Sequence, residues 1–247
     1  MPNHVQNKLI VSAQSEVEIT NFLQSIRCKD DEERVIDFNT IIPMPQDLRD
    51  TECSSRVSTA IEYFLYKENR TDEAQNFHNT ISINIDFMKS LDSKEENERN
   101  EIYNLGKRYV ELYEKYGYHN WYDWSVAHWG TKWNAYDTYI EVEGNTYASI
   151  CFTTAWSDVT ELMEKLAKEN PNIDFEYKCA SEDVGTCCVN AYSNYDEEGE
   201  LYIEFLEDNS EEAIKTYCEC WGEDFDDFYC DEKGYWHNRE WEESFDD

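Results

Sequence analysis

The chain has 247 residues, 15% of them aromatic, and its 21 Lys and Arg stand against 55 Asp and Glu for a net charge of −34. A field of that size repels nucleic acid and anionic membrane and attracts basic surfaces. Acidic chains of low hydrophobicity are often disordered, but this aromatic content supplies the apolar surface that offsets ordering entropy, so the chain reads as folded. Its length permits one large domain or two small ones.

The opening residues MPNHVQNKLIVSA lack a basic stretch followed by a long apolar one. No later run approaches the roughly 18 apolar residues of a membrane span, so a soluble cytosolic protein is expected. Nine cysteines, an odd number with no export signal, read as reduced thiols. The grouping nearest to a metal cluster is Cys218, Cys220, Cys230 and His237. It lacks paired C-x2-C spacing, so neither a metal nor another cofactor is expected.

Val5, Asn7, Leu9 and Val11 alternate as in a strand with one buried face. Ser15 and Glu18 then form a capping box ahead of Ile19, Phe22, Leu23 and Ile26, one helical stripe. Val35 to Ile42 predicts a second strand that stops at Pro43-Met44-Pro45, so the chain opens β-α-β. Residues 46–119 read as a mainly helical insertion. Val57, Ile61, Phe64 and Leu65 share one helical face there, and Ile102, Leu105, Tyr109, Leu112 and Tyr116 form a longer stripe ending at Gly117. Between them the alternation Ile81, Ile83, Ile85, Phe87 predicts a short strand, and the charge run from Lys94 to Glu101 reads as a solvated loop and helix start.

From Asp137 period two returns. Thr138, Ile140 and Val142, a Gly144-Asn145 turn, and Ala148, Ile150 and Phe152 predict a hairpin. A helix starting near Ser157 or Asp158 carries Val159, Leu162, Met163 and Leu166. Further strands are expected at Ile173 to Cys179, near Thr186 to Tyr195, and at Leu201 to Phe205. The fold class is α+β, with helices packed on one face of an antiparallel sheet. Residues 1–45 and 120–206 are expected to form the core, 46–119 the helical insertion, and 207–247 an acidic extension that contains aromatics.

The segments MPNHVQNKLIV, DFNTIIPMP at 37–45, NWYDWSVAHWGTKWNA at 120–135 and FTTAW at 152–156 resemble the YubB/Api-like proteins of phages and plasmids. The likeness runs in order over residues 1 to about 170, with the W-G-T-K-W core as its specific part. The resemblance implies a ferredoxin-like sheet and a protein encoded by a mobile element and acting in the bacterial cytosol. It carries no activity, so it implies no catalytic residue. It also implies a shorter ending, so the acidic region from Glu182 onward reads as a departure.

Residues 182–247 hold 23 Asp and Glu against Lys215, Lys233 and Arg239, a net of −20. The expected partner-binding residues are Asp196, Glu197 and Glu198 in a turn, and Glu223, Asp224, Phe225, Asp226, Asp227, Phe228, Tyr229, Asp231 and Glu232. There carboxylates present charge while aromatics anchor the contact. Carboxylates two apart on a strand lie about 6.6 Å apart, close to twice the ~3.4 Å charge spacing of one DNA strand. Such a surface would imitate phosphates and occupy a basic host protein, a component of a defence system such as a CRISPR effector or restriction nuclease. The bland counterpart is an acidic face that only solubilises the chain. A strongly charged monomer and a small homo-oligomer are both compatible with the sequence.

Motifs for hydrolases, phosphate-binding loops, zinc proteases and dinucleotide folds are absent. His4, His78, His119, His128 and His237 are scattered; His119 and His128 read as packing or surface residues rather than general bases. Asp226-Asp227 suggests loose cation binding at most. The rival functions are an enzyme acting on nucleic acid or a nucleotide defence signal, and a housekeeping phage protein without a defence target. Trp121, Trp124, Trp129, Trp133 and Trp156 are expected to form a structural aromatic core that packs the insertion against the sheet, with Gly130 allowing a tight turn.

Overall fold

The computed structural model describes residues 3–77, 83–193 and 200–239. Its elements in chain order are β1 (His4–Ala13), α1 (Glu16–Ile26), α2 (Phe38–Ile41), α3 (Gln46–Arg49), α4 (Ser55–Lys67), α5 (Ile85–Leu91), α6 (Glu96–Tyr116) and α7 (Trp121–Trp129). There follow β2 (Tyr136–Glu143), β3 (Tyr147–Ala155), α8 (Thr160–Glu169), β4 (Ile173–Ser181), β5 (Val189–Ser193), β6 (Tyr202–Phe205), α9 (Glu211–Trp221), β7 (Phe228–Cys230) and β8 (Trp236–Asn238). They group into two compact units, Met1–Pro43 with Ser125–Asp247, and Met44–Trp124.

The first unit holds a six-stranded sheet ordered β2-β3-β1-β4-β5-β6, with every neighbouring pair antiparallel. Its first four strands, with α1 after β1 and α8 after β3, have the split β-α-β arrangement of a ferredoxin-like fold. Strand β1 is central: Leu9 faces Ile150 of β3 on one side and Tyr177 of β4 on the other, and Val5, Asn7, Leu9 and Val11 are buried. Helix α1 starts as the capping box requires, with Ser15 Oγ accepting from the Glu18 amide and donating to the Glu18 carboxylate at 2.8 Å. Its stripe Ile19, Phe22, Leu23 and Ile26 is buried, and Phe22 meets Phe175 edge-on at 5.5 Å. Each such side chain contributes roughly 1.5–3 kcal/mol.

Asn7 is a polar residue at the centre of this sheet, and its bonds are all made. Its amide donates to the Val5 and Phe152 carbonyls and to Thr154 Oγ1, and its carbonyl accepts from the Tyr177 hydroxyl at 2.6 Å. Tyr177 Oη in turn accepts from the Val159 amide at the start of α8. Strand β4 and helix α8 are thereby tied to β1.

The expected strand at Val35 to Ile42 is not one. Asp37 Oδ1 accepts from the Asn39 amide and caps the short helix α2, whose Phe38 is fully buried against Phe152 and Trp129. The ferredoxin-like second strand is β2, reached only after the long insertion. The expected strand at Ile81 to Phe87 is overturned in its second half: Asn84 caps α5, which contains Ile85 and Phe87, while Ile83 precedes it and Ile81 lies outside the described residues.

The described residues of 182–193 and 200–239 extend the sheet unit rather than trail from it. Strands β5 and β6 continue the sheet beyond β4. Helices α1 and α8 share the face that carries Phe175 and Tyr177. The alternate residues Lys178, Ala180 and Asn190 point to the opposite face, where α9 lies. Thr216 bonds Asn190, Glu219 pairs with Lys178, and Ala213, Ile214, Tyr217 and Cys218 pack with Ala180 and Cys188.

The second unit is helical among the described residues. Helices α4 and α6 bring Val57, Ile61, Tyr63, Phe64, Leu65, Tyr109 and Val110 into one core. Gly106 makes the contact possible: a Cβ there would lie 2.0 Å from the Ala60 carbonyl oxygen.

Candidate functional site

The acidic stretch begins at the end of α9, where Gly222 adopts φ +73° and closes the helix. Asp224 then accepts from the Asp226 amide and starts a 3-10 turn at Phe225–Asp227 that leads into the hairpin β7–β8. The turn between these strands is built by Asp231. Its Oδ1 accepts from the Tyr235 amide at 2.9 Å and the Lys233 amide at 2.8 Å, and Oδ2 faces His237 Nε2 at 3.3 Å. The backbone donors and His237 hold this carboxyl below its ordinary range.

Of the aromatics of this stretch, Phe228 is buried and Phe225 and Tyr229 are half-buried. Phe228 is buried against Tyr217 of α9 at 6.1 Å, so it packs the hairpin onto the helix and is not an anchor for a partner. Phe225 packs on Trp236 at 5.5 Å with Lys215 over its ring, and Tyr229 stacks on His237 at 5.2 Å with the Arg239 guanidinium over it. The charged groups divide likewise. Asp224 and Asp231 are used by the backbone, whereas the carboxylates of Glu223, Asp226, Asp227 and Glu232 have no ion pair or hydrogen-bond donor among the described residues. Asp196, Glu197 and Glu198 lie outside the described residues.

Phosphate-like spacing is not realised here. Glu223 to Asp227 run through a helix end and a 3-10 turn, and the strand β7 that follows carries no carboxylate. The carboxylates are instead held on a helix end, a 3-10 turn and a hairpin turn, without the repeat of an extended strand. On the same face of the sheet as α9, a groove of about 590 Å³ adds the carboxylates of Asp174, Glu176 and Glu204 around one cation, Lys178, which is itself paired to Glu176 and Glu219.

The five tryptophans do not form one core. Trp124 and Trp129 are buried, and Trp129 Nε1 donates to the Ile42 carbonyl at 2.9 Å. Trp121 is half-buried at the start of α7, its amide donating to Thr51. Trp133 and Trp156 are 38% and 49% exposed, which removes them from any core. Gly130 takes φ +77° in the expected tight turn, and a Cβ there would meet the Asp158 carbonyl at 3.2 Å.

His119 is buried, edge-on to Phe77 at 5.6 Å and bonded to Asn120. None of the nine cysteines is in a disulfide. Burial raises Cys218 to about 11 and pushes Cys220 well up, so neither is a ready thiolate ligand. Among the described residues no group of three or more His, Cys, Asp or Glu is placed to hold a metal ion. No helix among them is long and apolar enough to cross a membrane.

Sequence reasoning missed α9, although its signals are present. Ser210 caps it, Glu211 and Glu212 occupy the first turn, and Ile214, Tyr217, Cys218 and Trp221 recur at helical spacing before Gly222.

No curated protein matches the chain. A crystal structure titled as that of a protein api92 from Yersinia pseudotuberculosis aligns over 84% of this chain and 99% of its own, with 8% identity and a TM-score of 0.37. A family profile described as the ferredoxin-like domain in Api92-like protein matches residues 128–233. That match runs through α9 and β7, so the acidic region up to residue 233 is part of the matched domain and not a departure from it. The likeness to the ferredoxin-like domain of Api92-like proteins thus lies in residues 128–233, under half of the chain.

Proposed function

We propose that the chain is an Api-like protein over its whole length and that it works by binding, with the acidic side of its sheet unit occupying a basic surface on a partner protein. The observation that carries this reading is the set of carboxylates of Glu223, Asp226, Asp227 and Glu232, uncompensated among the described residues and held on the end of α9, the 3-10 turn and the β7–β8 turn, beside a buried Phe228. Carboxylates on a folded support lose little side-chain and backbone freedom on association, unlike those of a disordered tail. A net charge of −34 adds long-range steering toward a basic partner.

A nucleic-acid-handling protein has such a basic surface. The resemblance to phage and plasmid proteins points to a bacterial defence component in the cytosol as the target, which the chain inhibits by competing for its nucleic-acid groove. Affinity capture from a host lysate, followed by titration with the purified partner in rising salt, tests this reading. Binding that weakens steeply with salt and is lost on changing Glu223, Asp226, Asp227 and Glu232 to Lys is the expected result. Binding indifferent to both would defeat it.

A further inference from the structure

The loop Gly130–Trp133 and the C-terminal end of strand β3 meet through Thr131 and Ala155, and between them they hold a lysine among exposed indoles. Lys132 Nζ lies 4.6 Å from the Trp133 ring centroid and 4.8 Å from that of Trp156. Its ammonium has no carboxylate or hydrogen-bond acceptor among the described residues, in a chain with 55 Asp and Glu. Trp133 is braced by Tyr136 at 6.1 Å, and Tyr136 Oη is fixed by His4 Nδ1 at 2.8 Å and the Thr154 carbonyl at 3.1 Å.

Trp156 carries a second signal. Its φ is +75°, a region that bulky residues avoid and glycine occupies freely. Neighbouring bonds enforce it: Thr131 Oγ1 donates to the Ala155 carbonyl at 2.8 Å and accepts from the Ala155 amide, Ser157 Oγ donates to the Gly130 carbonyl, and the Trp156 amide donates to Asn3 O at 2.9 Å. The strained backbone presents an indole that is 49% exposed, so the ring is only partly used by the fold. Strain of this kind concentrates at functional positions.

We propose that Trp133, Lys132 and Trp156 form a docking site for a carboxylate-bearing segment of a partner protein, in which one Asp, Glu or C-terminal carboxylate meets Lys132 and flanking apolar side chains cover the two indoles. Tryptophan is the residue most enriched among interface residues that carry binding energy. The single ammonium between ring faces matches a single anionic group. A polyanion such as an oligonucleotide would bring several charges into a field of −34 with only one cation to receive them, and a neutral sugar would leave that cation unanswered. This site is separate from the carboxylates of Glu223, Asp226, Asp227 and Glu232 and does not depend on the reading given above.

The test is selection of a random heptapeptide display library on the immobilised full chain. Enriched peptides should carry one carboxylate between apolar residues, bind at least tenfold more weakly to Lys132→Gln and to Trp156→Gly, and bind undiminished to the chain with those four carboxylates changed to Lys. Trp156→Gly relieves the backbone strain, so it should melt no lower than the parent while losing the peptide; a lower melting temperature would assign the ring to the fold. Enriched peptides that lack a carboxylate, failure to enrich any that depend on Lys132 and Trp156, or tighter binding of a ten-nucleotide oligo(dT) than of such peptides would overturn the proposal.

Discussion

Tyr177→Phe removes one hydroxyl from the centre of the sheet and leaves two buried groups without their partner. The hydroxyl donates to Asn7 Oδ1 at 2.6 Å and accepts from the Val159 amide at 3.3 Å, and Tyr177 is fully buried. A buried polar group left unsatisfied costs about 1–3 kcal/mol. The long Val159 bond lies at the low end of that range, so a total of about 2–4 kcal/mol is expected, against a usual whole-domain stability of about 5–15 kcal/mol. For a chain of this size that is a fall of roughly 5–15 °C in melting temperature. Urea denaturation followed by tryptophan fluorescence reads the change as a lower midpoint at unchanged slope. Adding Asn7→Leu should recover part of the loss, because the polar group facing the unsubstituted phenyl ring is then gone as well. A cost below about 0.5 kcal/mol for the single change would refute the network, and with it the tie between β1, β4 and α8.

Phe228→Ala should cost about 3–5 kcal/mol, since it opens a cavity against Tyr217, whereas Phe225→Ala, at a half-buried position, should cost markedly less; equal effects would contradict the assigned burial. Gly106→Ala should destabilise the helical unit by roughly 1–3 kcal/mol or more through collision with the Ala60 carbonyl, read as loss of helical ellipticity at a lower temperature, and a neutral result would contradict the close approach of α4 and α6. Burial raises Cys188 to about 12 and Cys218 to about 11, from an ordinary value of 9.0. Protons held more tightly by the folded chain mean stability that is complete below about pH 9 and declines as the pH rises through the folded values. The urea midpoint should therefore fall above about pH 9, and the fall should be shallower in Cys188→Ala; an unchanged slope would remove these thiols from the cause.

Much of the first unit was legible because its signals are local. The alternation Val5 to Val11, the Ser15–Glu18 box, the hairpin of β2 and β3 and the stripe from Val159 to Leu166 each appear as the element their spacing predicts, although three residues and not two connect the hairpin strands. The run Val35 to Ile42 misled because a short apolar stretch does not distinguish strand from helix, and the decisive groups are distant: Asn134 bonds both Asp37 and the Phe38 amide, and Trp129 and Phe152 take the Phe38 ring. Ile83 to Phe87 misled for a similar reason, since the Asn84 cap outweighs three residues of alternation. The tryptophans were read by type as core, but exposure is set by where the 130–133 loop turns. Gly130 and the positive φ of Trp156 put Trp133 and Trp156 outward.

The acidic candidate was legible as charge but not as shape. Counting carboxylates located the excess, while the division into those that build the turn, Asp224 and Asp231, and those left to solvent, Glu223, Asp226, Asp227 and Glu232, depends on backbone geometry that composition does not encode. The mixture of Phe and Asp that suggested anchors within a binding surface is, for Phe228, the ordinary inward and outward partition of a small hairpin packed on a helix.

The most direct test of the binding account compares two proteins against the captured partner at about 0.05 and 0.5 M salt: the parent chain, and the chain with Glu223, Asp226, Asp227 and Glu232 changed to Lys, leaving the structural Asp224 and Asp231 in place. The account predicts that the parent loses affinity steeply across that range, and that the reversed chain, folded as judged by its melting temperature, binds on the order of 100-fold more weakly at low salt. Equal affinity of the two folded proteins, with no dependence on salt, would contradict it.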